Sequence, residues 1–138
     1  MRAGSGGVKN APFGNWEEAL RTVDLTGCVY VNAVRALKRI KGRWKTPILA
    51  ALAEGPLRYS ELRRTFPTLT PKVLAQQLDA LEQDGVVTRT ELVAEPPKVV
   101  LYSLSPLGEE ARPLLAALAD WGVAVARREA PGALAAPP

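Results

Sequence analysis

The apolar positions keep helical spacing through the first two thirds of the chain and then change period. Ala33, Val34, Leu37 and Ile40 share one face of a helix that runs from Val29 to Lys41 and stops at Gly42. Trp44 to Ala53 repeats the pattern, with Pro47 in the first turn and Ile48, Leu49 and Leu52 facing inward. Glu54-Gly55-Pro56 ends that helix. Ser60 caps a helix of about two turns, Glu61 to Thr65, with Leu62 inward, and Pro67 closes it. Thr68-Leu69 makes a tight turn into the strongest helix signal in the chain. There Thr70 is a good N-cap, Pro71 suits the first helical position, Leu74, Leu78 and Leu81 form one stripe, and Gly85 closes the helix as a left-handed cap.

After Gly85 the period becomes two. Val86 to Leu92 and Val99 to Leu104 read as strands, joined by Val93-Ala94-Glu95-Pro96-Pro97-Lys98. The prolines cannot donate to a ladder and mark the hairpin tip or its edge. A two-stranded hairpin that follows two short helices and a tight turn is a wing. Ser105 and Pro106 then open a long last helix, in which Pro113 predicts a kink because its ring clashes with the carbonyl of Glu109. At the other end, Asn15-Trp16-Glu17-Glu18 resembles a capping box for a helix over Trp16 to Asp24. Residues 1–14 and 129–138 read as a disordered arm and tail around one domain, 15–128. The fold class is α+β and mainly helical, a winged helix-turn-helix with a two-stranded β wing and long terminal helices.

The helix from Thr70 carries Lys72, Gln76, Asp79 and Gln83 opposite its leucine stripe. Lysine can donate to guanine and glutamine can pair bidentately with adenine, as a major-groove reader needs. The plain alternative is an amphipathic helix with a solvated polar face. Charge moves the balance. The chain carries 18 basic and 14 acidic side chains, a net +4. Residues 35–64 hold nine of the basic ones (Arg35, Lys38, Arg39, Lys41, Arg43, Lys45, Arg58, Arg63, Arg64) against Glu54 and Glu61, a local +7 that leaves −3 for the rest. A basic half beside a mildly acidic one suits a polyanion on one side. On that reading Arg58, Ser60, Arg63, Arg64 and Thr68 hold phosphates, the helix from Thr70 presents Lys72, Ala75 and Gln76 to base edges, and Arg89 and Lys98 place the wing. Lys98 equally serves to keep an exposed strand edge from pairing.

Composition narrows the chemistry. Histidine is absent, which removes the commonest general base and metal ligand, and Cys28 is the single cysteine. No glycine-rich phosphate loop or carboxylate pair stands out. The expectation is a protein that is not an enzyme and holds no metal or cofactor. No apolar run reaches the ~20 residues of a membrane span and no apolar segment opens the chain, so the expected location is the cytoplasm.

The last helix has more apolar face than a small core needs. Leu107, Ala111, Leu114, Leu118, Trp121 and Val125 alternate steps of four and three, and Leu115 and Gly122 widen the seam. It reads as a dimer interface (Leu107, Leu114, Leu118, Trp121, Val125) or as packing across its own domain. Cys28 has two readings as well, a redox sensor that would form an intersubunit disulfide or a sulfenic acid, or a buried inert thiol. A small apolar effector near Trp44 and Trp121 is the other candidate signal, against two core tryptophans.

The runs AVRALKRIKGRWKTPIL, GPLRYSELRRTFP, TPKVLAQQLDALEQDGVVTR and PPKVVLYSLSPLGEEARPLLAALADWG resemble the HxlR-type winged helix-turn-helix regulators of bacteria, from Cys28 to Gly122. The resemblance implies a homodimeric transcriptional regulator, repressor or activator, that binds pseudo-palindromic double-stranded DNA. It implies that the first and last helices form the dimer interface and that a nearby gene is controlled, often one of detoxification or redox metabolism. The family's usual Cys-Pro pair would fall near Val31. Here Cys28 stands three residues earlier and Val29 follows it, which counts against a sensing role. The helix over Trp16 to Asp24 extends the chain beyond the family's usual start. The rival reading is a winged-helix adaptor that binds protein and not DNA; Lys72, Gln76 and the +7 segment argue against it.

Overall fold

The computed structural model describes residues 29–130, and the chain divides into two compact units, Met1–Gly42 and Arg43–Pro138. Cys28, the helix expected over Trp16 to Asp24 and most of the expected tail lie outside the described residues. In the first unit, α1 (Val29–Ile40) carries buried Val31 and Ile40, while Val29 and Leu37 of the same helix are exposed. Its Arg35 donates to the Asn32 side chain one turn back.

The second unit runs α2 (Lys45–Ala53), β1 (Leu57–Arg58), α3 (Tyr59–Thr65), α4 (Pro71–Gln83), β2 (Val87–Val93), β3 (Val99–Leu104), α5 (Pro106–Glu110) and α6 (Arg112–Glu129). Its core is the set of inward stripes read from the sequence. Ile48, Leu49, Leu52, Leu62, Leu74, Leu78 and Leu81 are each 1% exposed or less. Burial of such a side chain is worth ~2 kcal/mol before the entropy of ordering it. Leu69 is also buried and anchors the turn between α3 and α4, where its N–H reaches the Phe66 carbonyl at 3.1 Å.

Helix α4 begins and ends as expected. The Thr70 hydroxyl accepts from the Val73 N–H at 3.2 Å, with Pro71 at the first position. At the far end Val86 N–H reaches back to the Leu81 carbonyl and Gly85 N–H to that of Glu82, a Schellman closure that needs the positive φ of Gly85, 82°.

Four features differ from the sequence reading. The wing is part of a three-stranded antiparallel sheet, order β1-β3-β2, and not a hairpin alone. The added strand is two residues long, with Leu57 opposite Tyr102 and Arg58 opposite Leu101. Ser60 does not cap α3. The helix starts at Tyr59, because the Glu61 carboxylate accepts the Arg58 backbone N–H at 2.8 Å and so satisfies the donor just outside the first turn. The last helix does not kink at Pro113 but divides before it. Ala111 both ends α5 and leads α6, with Arg112 and Pro113 in the first turn, where a missing N–H costs nothing. Helix α6 also runs to Glu129, so the expected tail starts too early by that residue.

One joint holds the strands, α4 and α5 together. Ser105 N–H donates to the Val86 carbonyl at 3.0 Å, its hydroxyl donates to the Gly85 carbonyl, and the same hydroxyl accepts from Gly108 N–H at 3.0 Å. A Cβ on Gly108 would collide with the Val86 carbonyl oxygen, so only glycine allows α5 to sit this close.

Candidate nucleic-acid interface

Helix α4 turns its leucines inward and its polar side chains out. Lys72, Gln76, Asp79 and Gln83 are exposed, as is Thr70, while Ala75 is half-buried. The Thr70 hydroxyl oxygen is engaged by the Val73 N–H, and its own proton remains a donor. Helix α3 carries exposed Ser60, Arg63 and Arg64, and Thr68 is exposed in the turn. Two contacts tie α3 to its neighbours, one to α4 and one to the start of α2. Tyr59 hydroxyl donates to the Pro71 carbonyl at 3.4 Å. Phe66 meets Trp44 edge to face at 6.4 Å, with the Arg43 guanidinium 5.5 Å from the centre of the Trp44 ring. Trp44 is thus held in the packing next to α3, while Trp121 on α6 is 68% exposed.

The wing is less simply basic than its sequence suggests. Arg89 lies directly across from Tyr102 in the ladder, and two residues on, on the same face of β2, stands Glu91. The Arg89 guanidinium is 3.4 Å from the Glu91 carboxylate, and Lys98 Nζ is 4.0 Å from the same oxygen. One acid therefore offsets both wing cations. Hydrogen bonding to Tyr102 holds the Arg89 proton more tightly than usual, and burial pushes the Tyr102 phenol above its ordinary range, so both keep their protons at neutral pH. The pairing register with β3 shifts between Glu91 and Val93, just beyond this cluster.

Arg58, Ser60 and Lys98 meet at one place. They line an open groove of about 300 Å³ with Tyr59, Val99 and Val100. Arg63, Arg64 and the α4 residues Lys72 and Gln76 lie outside it.

Two ion pairs that the sequence did not mark brace this scaffold. Lys45 Nζ sits 2.8 Å from Asp84, joining the start of α2 to the end of α4, and both side chains are mostly buried. Arg112 grips both carboxylate oxygens of Glu109 at 2.8 and 2.9 Å and also donates to the Ala53 carbonyl at the end of α2. The same bond holds the exposed Glu109 carboxyl below its usual range and raises Arg112. Spacing gives no sign of the first pair, whose members are 39 residues apart. The second is an i, i+3 pair that a helix reading could find.

On α6, only Leu115 is buried. Leu114 and Trp121 are 41% and 68% exposed, and Leu118 and Val125 are half-buried. Leu107, 49% exposed, belongs to α5, so the seam expected along one helix spans two. Among the described residues no group of His, Cys, Asp or Glu is placed to hold a metal, and no helix is long and apolar enough to cross a membrane.

Comparison with known proteins gives a consistent picture. The model of the HxlR-like helix-turn-helix family matches residues 39–130. The uncharacterized HTH-type transcriptional regulator YtfH of Escherichia coli (strain K12) is 51% identical over 85 residues, 62% of this chain and 67% of that protein. The solved structure of the putative transcriptional regulator ytfH from Salmonella typhimurium has a TM-score of 0.59 at 40% identity, over 75% of this chain and 98% of that one. The redox regulator HypR in its oxidized form aligns with a TM-score of 0.61 at 32% identity, over 67% of this chain and 95% of that one.

Proposed function

The chain belongs to the HxlR-like helix-turn-helix family, whose relatives are transcriptional regulators, and on that premise we propose that it works as a homodimer on a pseudo-palindromic DNA operator. Each subunit lays α4 in a major groove, and two half-sites one helical turn apart match the two-fold axis. Lys72 and Gln76 face base edges, with Ala75 close behind. Thr68, Thr70, Ser60, Arg58, Arg63 and Arg64 fix the register on phosphates, and Arg89 and Lys98 set the wing. The subunits join through Leu107, Leu114, Leu118, Trp121 and Val125, and the protein works in the cytoplasm.

The observation that carries this reading is the exposed polar face of α4. Its cap, its inward leucines and the Tyr59–Pro71 hydrogen bond to α3 hold Lys72 and Gln76 outward on a rigid element, as base reading requires. An adaptor would turn apolar side chains outward at this place. Gln76→Ala tests the assignment. It should cost ~1–3 kcal/mol on the operator and little on unrelated DNA. Equal losses on both would remove Gln76 from the reading face.

Two signals suit the reading. Cys28 as a thiol switch takes support from the redox regulator HypR among the structural relatives, while Val29 in place of the family's usual proline counts against it. A small-molecule effector is the other.

A further inference from the structure

The groove beside the wing exists because of a change of direction in the chain. Strand β1 pairs Leu57 with Tyr102 and Arg58 with Leu101. Continued antiparallel, the ladder would place Tyr59 opposite Val100 and Ser60 opposite Val99. Instead, the Glu61 carboxylate takes the Arg58 N–H and the chain turns into α3 at Tyr59. The β3 edge at Val99 and Val100 is left without its third-strand neighbour, and these four residues with Arg58 and Lys98 line the groove.

Its lining is of two kinds. Two cations and a hydroxyl, Arg58, Lys98 and Ser60, are all exposed. Tyr59, Val99 and Val100 are half-buried and give an apolar wall. Among the described residues Arg58 makes no ion pair, and Lys98 has only the Glu91 contact at 4.0 Å. This lining suits neither a bare anion, which has no use for the wall, nor a hydrocarbon, which would desolvate the cations. It suits an anion carried on a small apolar frame, and a nucleic-acid strand offers one at every step.

The geometry points to a single sugar–phosphate unit of the DNA backbone as the occupant. The phosphate lies between Arg58, Ser60 and Lys98, and the deoxyribose rests on Tyr59, Val99 and Val100. The wing and the helix-turn-helix therefore grip one phosphate together and not two in succession. This assignment rests on the DNA-binding reading and adds to it a shared seat that couples the two elements.

The salt dependence of binding by the full chain distinguishes one phosphate from two. The slope of log affinity against log salt is about −0.9 per phosphate neutralised on duplex DNA. Either Arg58→Ala or Lys98→Ala leaves one cation on the shared phosphate of each subunit, so each should change the slope of the homodimer by less than two such steps, one per subunit. The homodimer carries each substitution twice, so the double variant should lose about two steps, one per subunit, with affinity of the dimer reduced about 30-fold at about 0.15 M salt on operator and scrambled duplexes alike. A loss of about four steps, two per subunit, would place the cations on separate phosphates and overturn the shared seat, as would an unchanged slope. Failure of the underlying reading is distinct, because the unaltered protein would then show no preference for its operator. All three variants change exposed side chains, and circular dichroism checks that they fold.

Discussion

Gly108 decides how closely α5 approaches the sheet. An added Cβ would meet the Val86 carbonyl oxygen and lie 3.2 Å from Leu104 Cβ. Neither can yield easily, since the Val86 oxygen already accepts the Ser105 N–H and Leu104 is buried. Gly108→Ala should therefore destabilise the fold by ~3 kcal/mol, the cost of overpacking at a backbone contact. A denaturant midpoint unchanged from the unaltered protein would mean that α5 can move outward freely. The same joint explains why Ser105 is buried without penalty, as its hydroxyl is both donor and acceptor there.

At the scale of elements, the wing is held by its own acid. Glu91 lies within 3.4 Å of Arg89 and 4.0 Å of Lys98, so a phosphate approaching either cation competes with a carboxylate already present. Glu91→Gln should raise affinity for operator and scrambled DNA alike, by about the few tenths to 1 kcal/mol of an exposed pair. Weaker binding would show that Glu91 aligns the cations and does not compete for them. What the sequence could say about the elements follows from their length and their partners. Helix α4 was legible because Thr70, Pro71 and Gly85 are local signals at fixed offsets, and β3 was legible from its composition. Strand β1 was not, because two residues cannot show alternation and its pairing depends on β3, far along the chain. For the start of α3 the preference of serine for caps points to Ser60, whereas Glu61, three residues after Arg58, marks the true cap. Pro113 signalled a defect, but whether a proline bends one helix or begins another depends on the Arg112 contacts with Glu109 and Ala53. The groove beside the wing was legible only as a list of cations; that Arg58 and Lys98 share it required the β1–β3 register.

At the scale of the whole molecule, α6 spends Leu115 on its own core and leaves Leu114 and Trp121 outward. An apolar face left in this way on a terminal helix is what a two-fold interface would cover, and the proposed mechanism needs two copies of α4 at a fixed spacing. DNA reading and dimerisation are therefore one claim, and one experiment addresses both: fluorescence anisotropy on the duplex upstream of the protein's own gene and on a scrambled duplex of equal length, over a salt series, with the unaltered protein and with Trp121→Asp. Trp121 is 68% exposed, so the substitution should spare the fold and disrupt only an interface. The account predicts that the unaltered protein binds the native duplex at least a thousandfold or so more tightly than the scrambled one at physiological salt, that both affinities fall as salt rises, and that Trp121→Asp loses most of the preference. Equal binding to both duplexes at every salt concentration would contradict it.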